Sequence, residues 1–148
     1  MMNWSPHITV ASVLEQNQTF LFVEEKIDGQ LVLNQPAGHW EQGESILEAS
    51  IRETLEETAW HYRPTHLVGI YQWTHPQSSQ TYLRFCLTGE LLEHEPQRKL
   101  DVGILRAVWL SHEELINRSV QHRSPLVRRC LDDYINGKRF DISLLQIS

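Results

Sequence analysis

The chain is 148 residues long, 41% hydrophobic and 22% charged, with a formal charge of −6 and a pI near 5.7. Those figures suit one globular domain, here expected to span residues 1–148, and they exclude a disordered chain. They also exclude a nucleic-acid polymer as main partner, because neutralising phosphates needs clustered Lys and Arg, and no segment approaches the roughly 20 apolar residues of a membrane span.

The N-terminal MMNWSPH has no basic region followed by an apolar run, so a cytoplasmic protein is expected. HITVASVL (7–14) and TFLFVEEK (19–26) are β-rich and separated by the polar EQNQ, which predicts a hairpin, and LVLNQ (31–35) adds a short strand. A helix starts after Gly43, where Ser45 and Glu48 form an S-x-x-E capping box, and runs to about Thr58. Strands follow at 67–75, 81–90 and 104–110. SHEE at 111–114 caps a second helix, Ser124 and Pro125 open a third, and Gly137 ends it. Strands on both sides of a central helix, with two helices at the end, give an α/β sandwich with a mixed β-sheet. Cys86 and Cys130 lack CxxC spacing and read as buried, reduced thiols.

The central helix carries the chemistry. At 100° per residue, Leu47, Ile51, Thr54, Leu55 and Thr58 form a mostly apolar side, and Glu53, Glu56 and Glu57 fall opposite. Like charges at i, i+3 and i+4 destabilise a helix by roughly 0.2–0.5 kcal/mol per pair. Glu56 and Glu57 also sit in the last turn, where the helix dipole disfavours anions by roughly 0.3–1 kcal/mol each. A bound cation removes both penalties, and three carboxylates on a rigid face suit a hard ion such as Mg²⁺ or Mn²⁺. A solvated acidic face is the usual explanation of such a cluster taken alone. The wider spacing decides against it.

From Gly38 the chain reads Gly, five residues, Glu44, seven residues, Arg52-Glu53, then Glu56-Glu57. This resembles the Nudix box, G-x5-E-x7-R-E-U-x-E-E-x-G-U, with every charged position matched over residues 38–60. Thr54 stands at an aliphatic position, Ala59 at the second glycine and Trp60 at the last aliphatic one. Ala59 either adopts a left-handed conformation at roughly 1–2 kcal/mol or lets the helix run on. HITVA (7–11), NQPAGH (34–39), YQW (71–73), LRF (83–85) and RSPLV (123–127) are similar to stretches of the NudJ-type phosphatases of the Nudix superfamily.

The resemblance implies a Nudix-type α/β/α sandwich and Mg²⁺-dependent hydrolysis, with Mn²⁺ as substitute. The implied substrates are nucleoside tri- and diphosphates and hydroxymethylpyrimidine pyrophosphate, a thiamine precursor, with phosphate released. The expected partners are therefore small nucleoside or pyrimidine pyrophosphates, acted on by a monomer. A housecleaning pyrophosphatase for other nucleoside diphosphate derivatives is the alternative activity, and a non-catalytic nucleotide sensor the alternative class. The intact glutamate triad argues against a sensor, since binding alone gives no reason to align three repelling carboxylates. The eight histidines lack zinc-ligand spacing, and there is no G-x-S-x-G elbow or P-loop.

Glu53, Glu56, Glu57 and the backbone carbonyl of Gly38 are the expected metal ligands. Glu53 is also a candidate acceptor of the attacking water's proton, a role shared with an unnamed residue on a later loop. Arg52 is expected to pair with Glu44 or Glu53, leaving Glu44 structural. For the substrate, Trp73 is a candidate to stack on a ring and Arg84 to hold a terminal phosphate. His7, Thr9, Gln35 and Gln72 are candidate pocket residues. Each has a structural competitor: core packing for Trp73, a salt bridge on the sheet for Arg84, and satisfied hydrogen bonds for the rest.

Overall fold

The computed structural model describes residues 3–148. In chain order its elements are β1 (His7–Val13), β2 (Glu15–Gln16), β3 (Thr19–Ile27), β4 (Gln30–Asn34), β5 (Ala37–His39), α1 (Ile46–Thr58), β6 (Trp60–Thr74), β7 (Thr81–His94), β8 (Ile104–Leu110), α2 (His112–Asn117), α3 (Pro125–Ile135) and β9 (Phe140–Asp141). One sheet has the order β5-β1-β7-β6-β9 and is mixed, since β1 runs parallel to β7 while its other pairs are antiparallel. The other is built on β3, which pairs antiparallel with β2, β4 and β8.

The hairpin expected from residues 7–14 and 19–26 does not form. Both edges of β1 are taken, by β5 and β7, and β3 belongs to the other sheet. Only the two-residue β2 folds back on β3, through Asn17 and Gln18, which both have positive φ. The two strands expected at 67–75 and 81–90 are instead long ribbons. β6 begins at Trp60 and carries Pro64 at a register shift, the position where a missing N–H costs no ladder bond.

Successive residues of β1 serve different layers. The Ser12 hydroxyl meets that of Thr54 on α1 at 2.8 Å, while Ala11 and Val13 pack with Leu126, Val127 and Cys130 of α3. α1 packs on β1, β5, β6 and β8, and α3 on β6 and β1, which gives the α/β/α layering. The main core lies on the α3 side, and a smaller one of Leu14, Leu21 and Tyr62 lies with Ile51 and Trp109 on the α1 side. Cys86 and Cys130 are free and buried. No helix among the described residues is long and apolar enough to cross a membrane.

The capping expectations are met at Ser45/Glu48, Ser111/Glu114 and Ser124. Ala59 ends α1 in the left-handed region, φ 64°, and its N–H donates to Leu55 O at 2.9 Å. The face assignment of α1 needs correction. The helix buries Ala49, Ser50, Glu53, Thr54, Glu57 and Thr58, while Leu47, Ile51 and Leu55 are only half-buried. The helix lies in a corner between the sheet and the edge strand β5, so two of the three glutamates turn inward rather than to solvent.

Candidate active site

The corner between α1 and β5 sets the geometry of the acidic residues. β5 pairs with β1 through Thr9↔His39, Val10↔Gly38 and Ala11↔Ala37. At Gly38, an added Cβ would lie 2.2 Å from Cδ of Glu53, so the space of the missing side chain is filled by that carboxylate. One turn on, Glu57 Oε1 accepts the Ala37 N–H at 2.9 Å. Arg52 donates to His39 O at 3.1 Å. Every residue of this three-residue strand thus holds one residue of the box.

Arg52 organises the remaining carboxylates. Its Nε and Nη2 grip Glu44 at 2.9 and 2.7 Å, while Nη1 donates to Glu53 at 2.8 Å and Glu56 at 3.4 Å. The bidentate contact holds the Glu44 carboxyl below its ordinary range. Glu44 in turn accepts the Glu41 N–H at 2.9 Å, fixing the loop that enters α1.

Glu53, Glu56 and Asp101 bring carboxylate oxygens within 4.8 Å of one another. Asp101, in the loop between β7 and β8, was not singled out from the sequence. Its N–H donates to Glu56 O at 2.9 Å, so the loop also satisfies a carbonyl in the last turn of α1. Nothing local marks an aspartate after QRKL as part of this cluster. Only the packing of that loop on the helix end does so.

The carboxyls of Glu53, Glu56 and Glu57 hold their protons more tightly than ordinary glutamates when no cation is present. Burial, with further repulsion from Glu56 and Asp101, outweighs the Arg52 contacts and raises Glu53 to about 7. Burial raises Glu57 to about 9 despite its bond from Ala37, with Glu53, Glu25 and Asp101 adding to the rise. Glu56 is raised by burial and by Asp101. Crowded hard oxygens in excess of the single Arg52 charge fit a hard divalent cation. Glu53, Glu56 and Asp101 converge on one point. Glu57 is one turn away, directed at β5.

On the other side of β5 lies a cleft of about 480 Å³, within the range of small-molecule sites. Thr9, Trp73 and Arg84 line it, with Asn34, Tyr82 and Arg123. The remaining expected pocket residues do not. Gln72 is exposed on the opposite face of β6 from Tyr71 and Trp73. Gln35 is 1% exposed and fully engaged, Nε2 donating to Val127 O at 2.7 Å and Oε1 accepting from Arg84 at 3.0 Å. His7 flanks the wall, stacked on Tyr82 at 4.8 Å and bonded to His39 at 2.9 Å.

Arg84 is 6% exposed. No carboxylate oxygen lies within 4.0 Å of it among the described residues, so the salt bridge weighed against a phosphate role is absent.

Comparison with known proteins agrees with this geometry. The NUDIX domain family model matches residues 5–130. Phosphatase NudJ of Escherichia coli K12 is 38% identical over 142 residues, covering 96% of this chain and 92% of that protein. A NUDIX hydrolase from Nitrosomonas europaea is 48% identical in its solved structure, with a TM-score of 0.94 and coverage of 97% and 98%. A UDP-X diphosphatase shares the fold at 20% identity, TM-score 0.74, covering 95% of this chain and 68% of that one. The NUDIX domain of Shewanella oneidensis NrtR, solved with ADP ribose, does so at 14%, TM-score 0.69, covering 89% and 88%. With the box residues gathered at one corner and matches spanning nearly the whole chain, this protein belongs to the Nudix family and is a hydrolase of phosphorus-containing anhydrides.

Proposed function

We propose that the protein removes the terminal phosphate, with Mg²⁺, from nucleoside tri- and diphosphates and from a pyrimidine pyrophosphate such as the hydroxymethylpyrimidine precursor of thiamine. The observation that carries this reading is Arg84: a buried cation without a carboxylate partner among the described residues, on the wall of a cleft that shares β5 with the acidic cluster. An uncompensated buried charge is costly, and a phosphate entering the cleft supplies the missing anion. Trp73, half-buried on the same wall, offers its face to the substrate ring.

Glu53, Glu56 and Asp101 are the residues we assign to a divalent cation, with Glu57 and the Gly38 carbonyl completing the site. When bound there, such an ion screens phosphate charge and acidifies water. Glu53 and Asp101 are the two groups positioned to take the proton of an attacking water, Glu53 with its carboxyl raised toward neutral pH. Arg52 holds Glu53 and Glu44 in register with β5 and is not itself a phosphate ligand.

Hydrolysis of a nucleoside triphosphate in ¹⁸O-labelled water, followed by phosphorus NMR, tests the scissile bond. Stepwise orthophosphate with a diphosphate intermediate is expected. Pyrophosphate as the sole early product would move the protein to the alternative activity, a pyrophosphatase of other nucleoside diphosphate derivatives. It would also remove Arg84 from the terminal phosphate.

A further inference from the structure

We infer that Asn34 and Gln35 form a neutral amide clamp, which aims the Arg84 guanidinium while leaving its charge free for an anion. This makes both positioning residues, and the inference rests on the reading of Arg84 as the phosphate anchor. Asn34 closes β4 and Gln35 follows it, so one short stretch presents two acceptors to one guanidinium. Nη2 donates to Asn34 Oδ1 and Nη1 to Gln35 Oε1, each at 3.0 Å, with Nη1 also 3.8 Å from Cys130 Sγ. The far end of Gln35 donates to Val127 O on α3, so strand, helix and arginine are locked together.

The choice of amides is what needs explaining. Arg63, Arg106, Arg123 and Arg128 are largely exposed, and each has a carboxylate partner. Arg84, the buried one, is held by two amide oxygens with the Cys130 sulfur beside them, and by no carboxylate among the described residues. An aspartate or glutamate at 34 or 35 would keep an acceptor at the same place and bind the guanidinium more strongly, since charged hydrogen bonds are about twice as strong as neutral ones. It would also cancel the positive charge that a phosphate needs. A purely structural clamp would be improved by an acid. A clamp serving an anion site must avoid one.

The two roles predict opposite orders of effect for substitutions at Asn34, which is half-buried. Loss of the contact alone makes Asn34→Ala worse than Asn34→Asp. Cancellation of charge makes Asn34→Asp worse than Asn34→Ala. The readouts are KM for a nucleoside diphosphate in Mg²⁺, the inhibition constant of inorganic phosphate, and calorimetric titration of inorganic phosphate. Asn34→Asp should raise all three constants tenfold or more while kcat changes less than threefold, with Asn34→Ala intermediate. Gln35→Glu should behave like Asn34→Asp. If it fails to fold, the Asn34 pair decides.

Asn34→Asp with parental phosphate affinity, or binding more tightly than Asn34→Ala, overturns the inference. Arg84→Gln separates the two levels. If it weakens phosphate binding but Asn34→Asp does not, only the clamp falls. If Arg84→Gln leaves KM and phosphate inhibition unchanged, the anchor reading falls and the clamp with it.

Discussion

Gly38→Ala isolates the contact on which the acidic corner depends. Gly38 does not have a positive φ, so its backbone accepts a side chain, and the lower entropy of the unfolded chain favours alanine by about 0.4–1 kcal/mol. Against that, the new Cβ would lie 2.2 Å from Cδ of Glu53 and 2.3 and 2.4 Å from its oxygens. Carbon atoms in contact sit about 3.5 Å apart, so the carboxylate must retreat by roughly 1.3 Å. Overpacking of this kind costs about 1–3 kcal/mol. The net expectation is a metal-free protein destabilised by about 0–2.5 kcal/mol.

The functional loss should be larger than the loss in stability. Retreat of Glu53 breaks its 2.8 Å contact with Arg52 and opens the cluster with Glu56 and Asp101. A misplacement of about 1 Å in a catalytic array costs on the order of 10²-fold. Urea melts without metal, Mn²⁺ titration and phosphate release in Mg²⁺ measure the three quantities. A double-mutant cycle supplies the control: in a Glu53→Ala background the Cβ meets no carboxylate, so Gly38→Ala should be neutral or stabilising, a coupling of about 1–3 kcal/mol. Equal cost in both backgrounds, or parental cation affinity in the single variant, refutes the account.

Glu57→Gln keeps an acceptor for the Ala37 N–H and removes the cost of taking up a proton on folding, since at pH 8 the buried carboxyl stays protonated while that of the unfolded chain is ionised. The metal-free protein should therefore gain on the order of 1–3 kcal/mol in a urea melt. Its Mg²⁺-dependent turnover should fall at least about 100-fold, and parental activity would remove Glu57 from the site. In chelator, thermal stability should decline from about pH 5 to pH 9. Folded Glu53 (about 7) and Glu57 (about 9) keep protons that the unfolded chain releases near 4.5, so the folded state binds more protons across that window and loses stability as pH rises. Saturating Mg²⁺ should flatten the slope, and a flat profile in chelator contradicts the burial argument. Asp101→Asn preserves the N–H bond to Glu56 O and should weaken Mn²⁺ binding by about 10–100-fold with little change in melting; unchanged affinity excludes Asp101 as a ligand. Trp73→Ala should raise KM for ring-bearing substrates and leave inorganic tripolyphosphate unaffected, and equal effects on both would take the indole out of ring recognition.

What the sequence made legible was local or fixed by spacing. Capping boxes at Ser45 and Ser111 satisfy helix ends within four residues, and the box from Gly38 to Trp60 fixes its charges along one loop and helix. What depended on partners distant in the chain was lost. The pairing of β1 with β7 rather than β3 joins residues such as Val10 and Phe85. Alternation alone sets Gln72 on the opposite face of β6 from Tyr71 and Trp73, but which of the two faces opens into the cleft is decided by strand pairings distant in the chain. Asp101 joins the cluster only through the packing of its loop on the end of α1.

The least legible element is the one on which the site turns. β5 is three residues long and has no apolar alternation, because its residues face different neighbours for different reasons. Ala37 offers an N–H to Glu57, Gly38 leaves room for Glu53, and His39 gives a carbonyl to Arg52. All three also line the cleft that holds Arg84. Burial patterning cannot mark such a strand, since it is held by polar contacts and by the lack of a side chain. It follows that the alignment of the acidic corner with the Arg84 cleft is set by the register of β5 on β1. A one-residue slip there would replace Gly38 with a residue bearing a Cβ against Glu53, and would separate the two halves of the site while leaving both intact.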